Sequence, residues 1–171
     1  MNVYEIIKKR RSVRVYQDRP VPDEVLNRLL EAAQWAPSAR NLQPYKFIVI
    51  RDAQRRRDLA VAANEQMFLA EAPVVIAAVS LEPDRVMSCG VPTYAVDVTI
   101  AADHLMLAAA AEGLGTCWIG AFSQDRVREI LGVLEAQKVV ILTPLGYPAD
   151  EAPLDRTRKP IRDLVCYERF G

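Results

Sequence analysis

Apolar positions along the chain switch between a period near 3.6 and a period of 2, and the switches mark out alternating helices and strands. Residues 2–9 read as a short helix. Pro22-Asp23-Glu24 opens a second, with Val25, Leu29, Leu30, Ala33 and Ala36 on one apolar face and Pro37-Ser38 as its stop. Residues 45–51 alternate as a strand does. A charged helix is predicted over residues 52–63, and a short helical piece over 66–70. Residues 72–80 are a continuous apolar run of strand length, which predicts a strand covered on both faces. Residues 81–92 hold two prolines with Asp84, Arg85 and Gly90, and read as a mobile loop. Residues 93–111 are apolar nearly all round, as in a deep core or a subunit interface; Asp97, Asp103 and His104 argue against a membrane span. Gly113 and Gly115 end that helix. A short strand over 116–119, a helix over 125–131, a buried strand over 138–145 and a basic tail follow.

Composition narrows the class of protein. A chain of 171 residues suits one domain, residues 1–171, with a sizeable core. Lys+Arg and Asp+Glu both number 22, so the balance carries no electrostatic footprint of a nucleic-acid binder. Cys89, Cys117 and Cys166 have no CxxC spacing and no signal-like segment leads the chain, which points to reduced thiols in a cytoplasm. His104, the single histidine, shares a helix face with Asp97 two turns away; without an HExxH or paired-carboxylate pattern, packing is expected of both, and no metal site. Arg55-Arg56-Arg57, flanked by Asp52 and Asp58, reads as solvated helix surface.

The distribution of glycine changes the picture of any phosphate site. All seven glycines lie at Gly90 or later, so the first half cannot form a glycine-rich cradle; Gly113-x-Gly115 leads to Trp118 where a third glycine would belong. A phosphate must therefore be held by side chains. Arg10-Arg11-Ser12-Val13-Arg14 supplies them. As a helix end, the run simply complements the dipole. As an extended segment, it sets Arg10, Ser12 and Arg14 on one face, with Val13 and Val15 turned into apolar packing.

Three further clusters each admit two readings. Ser38, Asn41 and Gln43, between Pro37 and Pro44, carry groups that both donate and accept; they suit the edge of a neutral heterocycle, or merely satisfy a helix end and turn. Cys117-Trp118-Ile119-Gly120 ends a strand on a glycine, which lets backbone approach a flat ligand, or simply enters a loop. Arg156-Thr157-Arg158-Lys159-Pro160 either closes on the same anion or is a solvated tail.

In this order, and with Gly146-Tyr147-Pro148, these segments resemble the FMN-dependent nitroreductase family over about residues 3–165. The resemblance implies an α+β fold, an α/β/α sandwich with a central, mostly antiparallel sheet, in a homodimer with flavin sites at the interface. It implies FMN, with NADH or NADPH as electron donor. Hydride would pass through flavin N5 to a small acceptor, nitroaromatic or quinone, in a ping-pong cycle. Arg10, Ser12 and Arg14 would then hold the phosphate, with Arg11 near the ribityl chain and Arg158 or Lys159 closing the anion site. Pro37, Ser38, Ala39 and Asn41, with Gln43 in the same cluster, would meet the isoalloxazine from the partner subunit, and Ile119 and Gly120 would lie near N5. No side chain is expected as general acid or base, because the flavin carries the chemistry. Neither nucleic acid nor membrane is implied as a partner. The same fold also accommodates reductive dehalogenation, flavin fragmentation, or flavin binding without turnover. Tyr45 stands where Trp is frequent, and residues 82–92 are the expected lid.

Overall fold

Asn2 starts the first helix by a reciprocal cap. Its side chain accepts the Glu5 N–H at 3.0 Å while the Glu5 carboxylate accepts the Asn2 N–H at 2.8 Å, so α1 runs Val3–Lys9. The computed structural model describes residues 2–151 and 157–170. Arg10 leaves the helix with extended backbone.

Helix α2 (Asp23–Gln34) opens on acids and buries Leu26, Leu29 and Ala33. A 3-10 turn over Ala39–Asn41 leads into β1 (Tyr45–Ile50). Helix α3 (Ala53–Ala62), capped by the Asp52 side chain, and the single-turn α4 (Phe68–Glu71) precede β2 (Val74–Ser80), which is buried along its whole length. Then come α5 (Thr93–Ala111), β3 (Gly115–Thr116), α6 (Gln124–Leu131) and β4 (Lys138–Gly146). Gly132 in the left-handed region stops α6, as a helix C-terminus favours.

The four strands form an antiparallel sheet in the order β1-β2-β4-β3. Its two faces bury different sets. Val75, Ala77, Val79, Val139 and Leu142 pack with Leu59, Leu69 and Val127 under α3, α4 and α6. Ile76, Ala78, Ile141 and Leu145 pack with Val98, Leu105 and Met106 of α5 and Leu29 of α2. A register shift between Ala78 and Val79 lets Val139 and Ile141 serve opposite faces. The result is the α/β/α sandwich, α+β in class, that the family resemblance implied.

Helix α5 has the length and apolarity of a membrane span, but here it is the core helix on one face of the sheet, burying Val98, Ala101, Leu105, Met106 and Ala109. Residues 81–92, read as a mobile loop, close on themselves. Met87 N–H donates to the Val91 carbonyl at 2.9 Å and Thr93 N–H to that of Arg85 at 2.9 Å.

Two readings need correction. Arg56 is not solvated surface: its Nη1 donates to the Ala70 carbonyl at 2.6 Å and also to that of Ala72, satisfying the end of α4. Burial, and then Arg57 beside it, lowers its pKa. Val15 does not turn inward with Val13. Val13 is 1% exposed and Val15 48%, because Tyr16, three residues on, is the next to be buried.

Candidate functional site

The Arg10–Arg14 run lies flat on the sheet edge because two glycines make room for it. Gly115 and Gly146 stand opposite each other in the β3–β4 register. A Cβ on Gly115 would fall 2.6–2.9 Å from the Val13 side chain, and one on Gly146 would fall 2.6 Å from Pro73 and 3.0 Å from Tyr16. Val13 and Tyr16 therefore drop into a groove that only paired glycines leave open. Val13 N–H donates to the Thr116 carbonyl at 2.9 Å, and Ser12 bridges Thr116. The Tyr16 hydroxyl donates to the Val13 carbonyl at 2.7 Å. Burial first, and then Cys117, pushes that hydroxyl's pKa up, so it stays a donor.

With the valine pinned inward, Ser12 and Arg14 face solvent and Arg10 is half-buried. Arg14 lies with its guanidinium carbon 5.9 Å from the centre of the Phe68 ring. Arg10 and Arg11 line a cleft of about 230 Å³ together with Lys9, Leu114 and Thr116. Arg11 is differently engaged. Its Nη2 meets Asp150 Oδ1 at 2.7 Å and donates to the Asp150 carbonyl at 2.7 Å. Its fork is thus occupied by a carboxylate of the protein itself.

Beyond β3 the chain keeps the β4 register, since Ile119 and Leu142 exchange both backbone bonds at 3.0 Å. The predicted strand over 116–119 is thus interrupted at Cys117-Trp118 and rejoins at Ile119. Gly120 follows, exposed. A Cβ there would meet only Trp118 Nε1, at 3.8 Å, and its backbone is not left-handed. Neither packing nor conformation demands glycine at this position.

The Ser38–Gln43 cluster forms a tight loop. Ser38 Oγ accepts the Gln43 N–H at 3.0 Å, Gln43 Nε2 donates to the Asn41 carbonyl and Oδ1 at 3.1 Å each, and Arg40, Asn41 and Gln43 are all left-handed. Much of the polarity read as ligand-facing is therefore spent inside the loop. The Ala39 N–H donates to both oxygens of Asp97, at 3.1 and 3.2 Å. His104 pairs elsewhere, its Nδ1–H donating to the Ile100 carbonyl at 2.9 Å.

The structure brings Arg10, Ser12 and Arg14 beside the segment carrying Ile119 and Gly120, on one sheet edge. It does not bring Pro37, Ser38, Ala39, Asn41 and Gln43 there. That loop is tied to Asp97 near the start of α5, whereas the arginine cleft is lined by Ala110 at its end. The thirteen helical steps from Asp97 to Ala110 span about 20 Å at 1.5 Å per residue. Ile119 moreover packs under α3 and α6, on the sheet face opposite α5. Arg158 and Lys159 are exposed, Arg158 Nη1 donating to the Thr157 carbonyl at 3.0 Å; Arg156 lies outside the described residues. Sequence reasoning missed Asp97 as a partner of the loop and Asp150 as a partner of Arg11. Neither has a local signature, because both pairings join distant parts of the chain.

A sequence model described as the Nitroreductase family matches residues 7–81 and 62–147. An NADH dehydrogenase of Thermus thermophilus is 36% identical over 190 residues, 93% of this chain and 92% of that protein. An FMN reductase [NAD(P)H] of Bacillus subtilis is 34% identical over 169 residues, 86% of this chain and 68% of that one. A crystal structure of a nitroreductase family protein from Clostridium difficile 630 superposes with a TM-score of 0.89 at 32% identity, covering 99% of this chain and 100% of that one.

Proposed function

The chain belongs to the nitroreductase family, and from that premise we propose that it is an NAD(P)H-dependent flavin oxidoreductase that holds FMN and passes hydride from NADH or NADPH to a small acceptor of nitroaromatic or quinone type. The observation that carries this reading is the juxtaposition along one sheet edge. Outward-facing Ser12 and Arg14 stand beside a segment ending at Gly120, whose missing side chain the protein itself does not require. An open Cβ position beside anion donors suits a flat ring linked to a phosphate.

In this reading Arg10, Ser12 and Arg14 bind the phosphate. Arg11, its charge answered by Asp150, braces the wall of the same cleft near the ribityl chain, and Arg158 or Lys159 closes the anion site from the C-terminal segment. Gly120 lies against the ring, and Ile119, buried under α3 and α6 and paired with Leu142, fixes the segment that presents it. FMN, when bound, supplies a ring nitrogen that accepts and then gives up hydride. The residues exclude water from one face, neutralise the phosphate and leave the other face open to donor and acceptor in turn.

The loop bearing Pro37, Ser38, Ala39, Asn41 and Gln43 reaches the ring from a second copy of the chain. Its separation from the arginine cleft supports this, as does the apolar surface left uncovered in one protomer. Tyr4 is 74% exposed, Trp35 79%, and Tyr167 82%. Residues 82–92 serve as the lid. Exposed Cys89, unbridged, fits a reducing cytoplasm.

The test is the visible spectrum of the purified protein, then anaerobic mixing with NADH and NADPH. A yellow protein that releases FMN on denaturation and bleaches with either nucleotide is expected. A protein that takes up no FMN on reconstitution, or stays yellow with both nucleotides, overturns the reading.

A further inference from the structure

The corner of the sheet that meets the start of α5 is unusually polar for its depth. Asp97 is 2% exposed, and Thr93, one turn earlier on the same face, is equally buried. Tyr45 and Ser80 stand opposite each other across β1 and β2. Among the described residues the hydroxyls of Tyr45, Ser80 and Thr93 find no hydrogen-bond partner. Burial, and after it the charge of Asp97, raises the pKa of the Tyr45 hydroxyl, which stays a neutral donor. Lys138, paired with Ser80 on its other side, lies over the Tyr94 ring.

A carboxylate at this depth is costly unless it is answered by donors. The answer is the Ala39 N–H, shared between its two oxygens at 3.1 and 3.2 Å. Ala39 leads into Arg40 at φ 56°, Asn41 at φ 56° and Gln43 at φ 51°. Left-handed backbone is unfavourable for arginine and glutamine, and persists only where the surroundings hold it. The Ser38, Asn41 and Gln43 bonds close the loop on itself; Asp97 grips it from the core.

We propose that Asp97 is a positioning residue, whose buried carboxylate fixes the Ala39 amide and thereby the left-handed turn that presents Ser38 and Asn41. This inference rests on the reading of that loop as a wall of the flavin site. Among the described residues, the backbone group that the carboxylate holds is the amide of the first residue of the turn.

The experiment compares Asp97→Ala, Asp97→Asn and, as a control for core damage on the same helix, Val98→Ala. Amide hydrogen exchange across residues 37–44 is measured on flavin-free protein, and FMN affinity and kcat against KM on the loaded enzyme. Asp97→Ala is expected to speed Ala39 exchange about tenfold or more, the scale of one lost charge-assisted hydrogen bond. FMN affinity falls with it, and kcat falls more than KM rises. Asp97→Asn, which keeps an acceptor oxygen, restores protection to within about threefold. Val98→Ala lowers the unfolding temperature without opening the loop. Unchanged Ala39 exchange in Asp97→Ala, or an equal rise in Val98→Ala, overturns the proposal. Should Asp97→Ala fail to fold, Asp97→Ser carries the same comparison. Because exchange is read without flavin, a wild-type protein that binds no FMN overturns the flavin reading while the exchange result still decides the role of Asp97.

Discussion

Arg11 and Asp150 meet at 2.7 Å across 139 positions of chain, and the pair ties the end of the first helical segment to the stretch after the last strand. The Arg11 hydrogen bond, with its charge, holds the Asp150 carboxyl below the usual carboxylate range. A carboxyl whose folded value is depressed contributes fully above its ordinary value of about 4 and loses that contribution as pH falls through the lower folded value. Asp150→Asn is therefore expected to lower the unfolding midpoint at neutral pH. The gap from wild type should close as pH falls below about 4 and through the lower folded value. Thermal unfolding across that range checks it, and a gap of constant size at every pH would contradict the pairing.

Arg14 and Arg11 sit three residues apart yet differ in what they hold. Arg14 is exposed and lies over the Phe68 ring, whereas the Arg11 side chain is 17% exposed and engaged by Asp150. Arg14→Ala should weaken FMN binding by about 1.5–3 kcal/mol, as for a lost bond to a charged group, and leave the unfolding temperature nearly unchanged. Arg11→Ala should show the reverse order of effects, with stability lost first because Asp150 is left unanswered. Flavin titration and calorimetry on both variants separate the anchor from the strut.

The glycines divide in the same way. A Cβ on Gly115 would collide with Val13 at 2.6–2.9 Å, so Gly115→Ala should destabilise by about 1–3 kcal/mol through overpacking. Gly120→Ala meets nothing nearer than 3.8 Å and should leave stability alone. Its cost should fall on turnover, read as slower bleaching of bound flavin by NADH or NADPH. A Gly120→Ala enzyme with wild-type turnover would remove this glycine from the site.

Much of this was legible in the chain because local chemistry decided it. The apolar run of β2, the acids opening α2 and the uniform apolarity of α5 each predict their element without reference to the rest. The alternation Arg10, Ser12, Arg14 held as far as Val13, which pairs with β3, and failed at Val15, because the chain there turns to pair with residues 147–149 and buries Tyr16 instead. Arg56 read as surface because its acceptors, Ala70 and Ala72, are carbonyls, which carry no sequence signal. Asp97 read as packing because the amide it holds lies 58 positions away. What stayed hidden is pairing between distant residues through backbone groups.

The division of the candidate site between two ends of α5 makes a prediction that one protomer cannot fulfil. If the arginine cleft of one copy meets the Ser38–Asn41 loop of another, Arg14→Ala and Asn41→Ala impair different halves of each composite site. A heterodimer of the two variants then holds one site with both defects and one with neither, since two-fold symmetry exchanges the halves. Each variant alone should be weak at limiting FMN. Unfolded together, refolded and mixed in equal amounts, they should recover about a quarter of wild-type activity, because half the dimers are mixed and half their sites intact. Sedimentation should give a dimer throughout. Were both halves drawn from the same protomer, the mixture would perform no better than the mean of the two variants, and a monomer in sedimentation would sink the composite site outright.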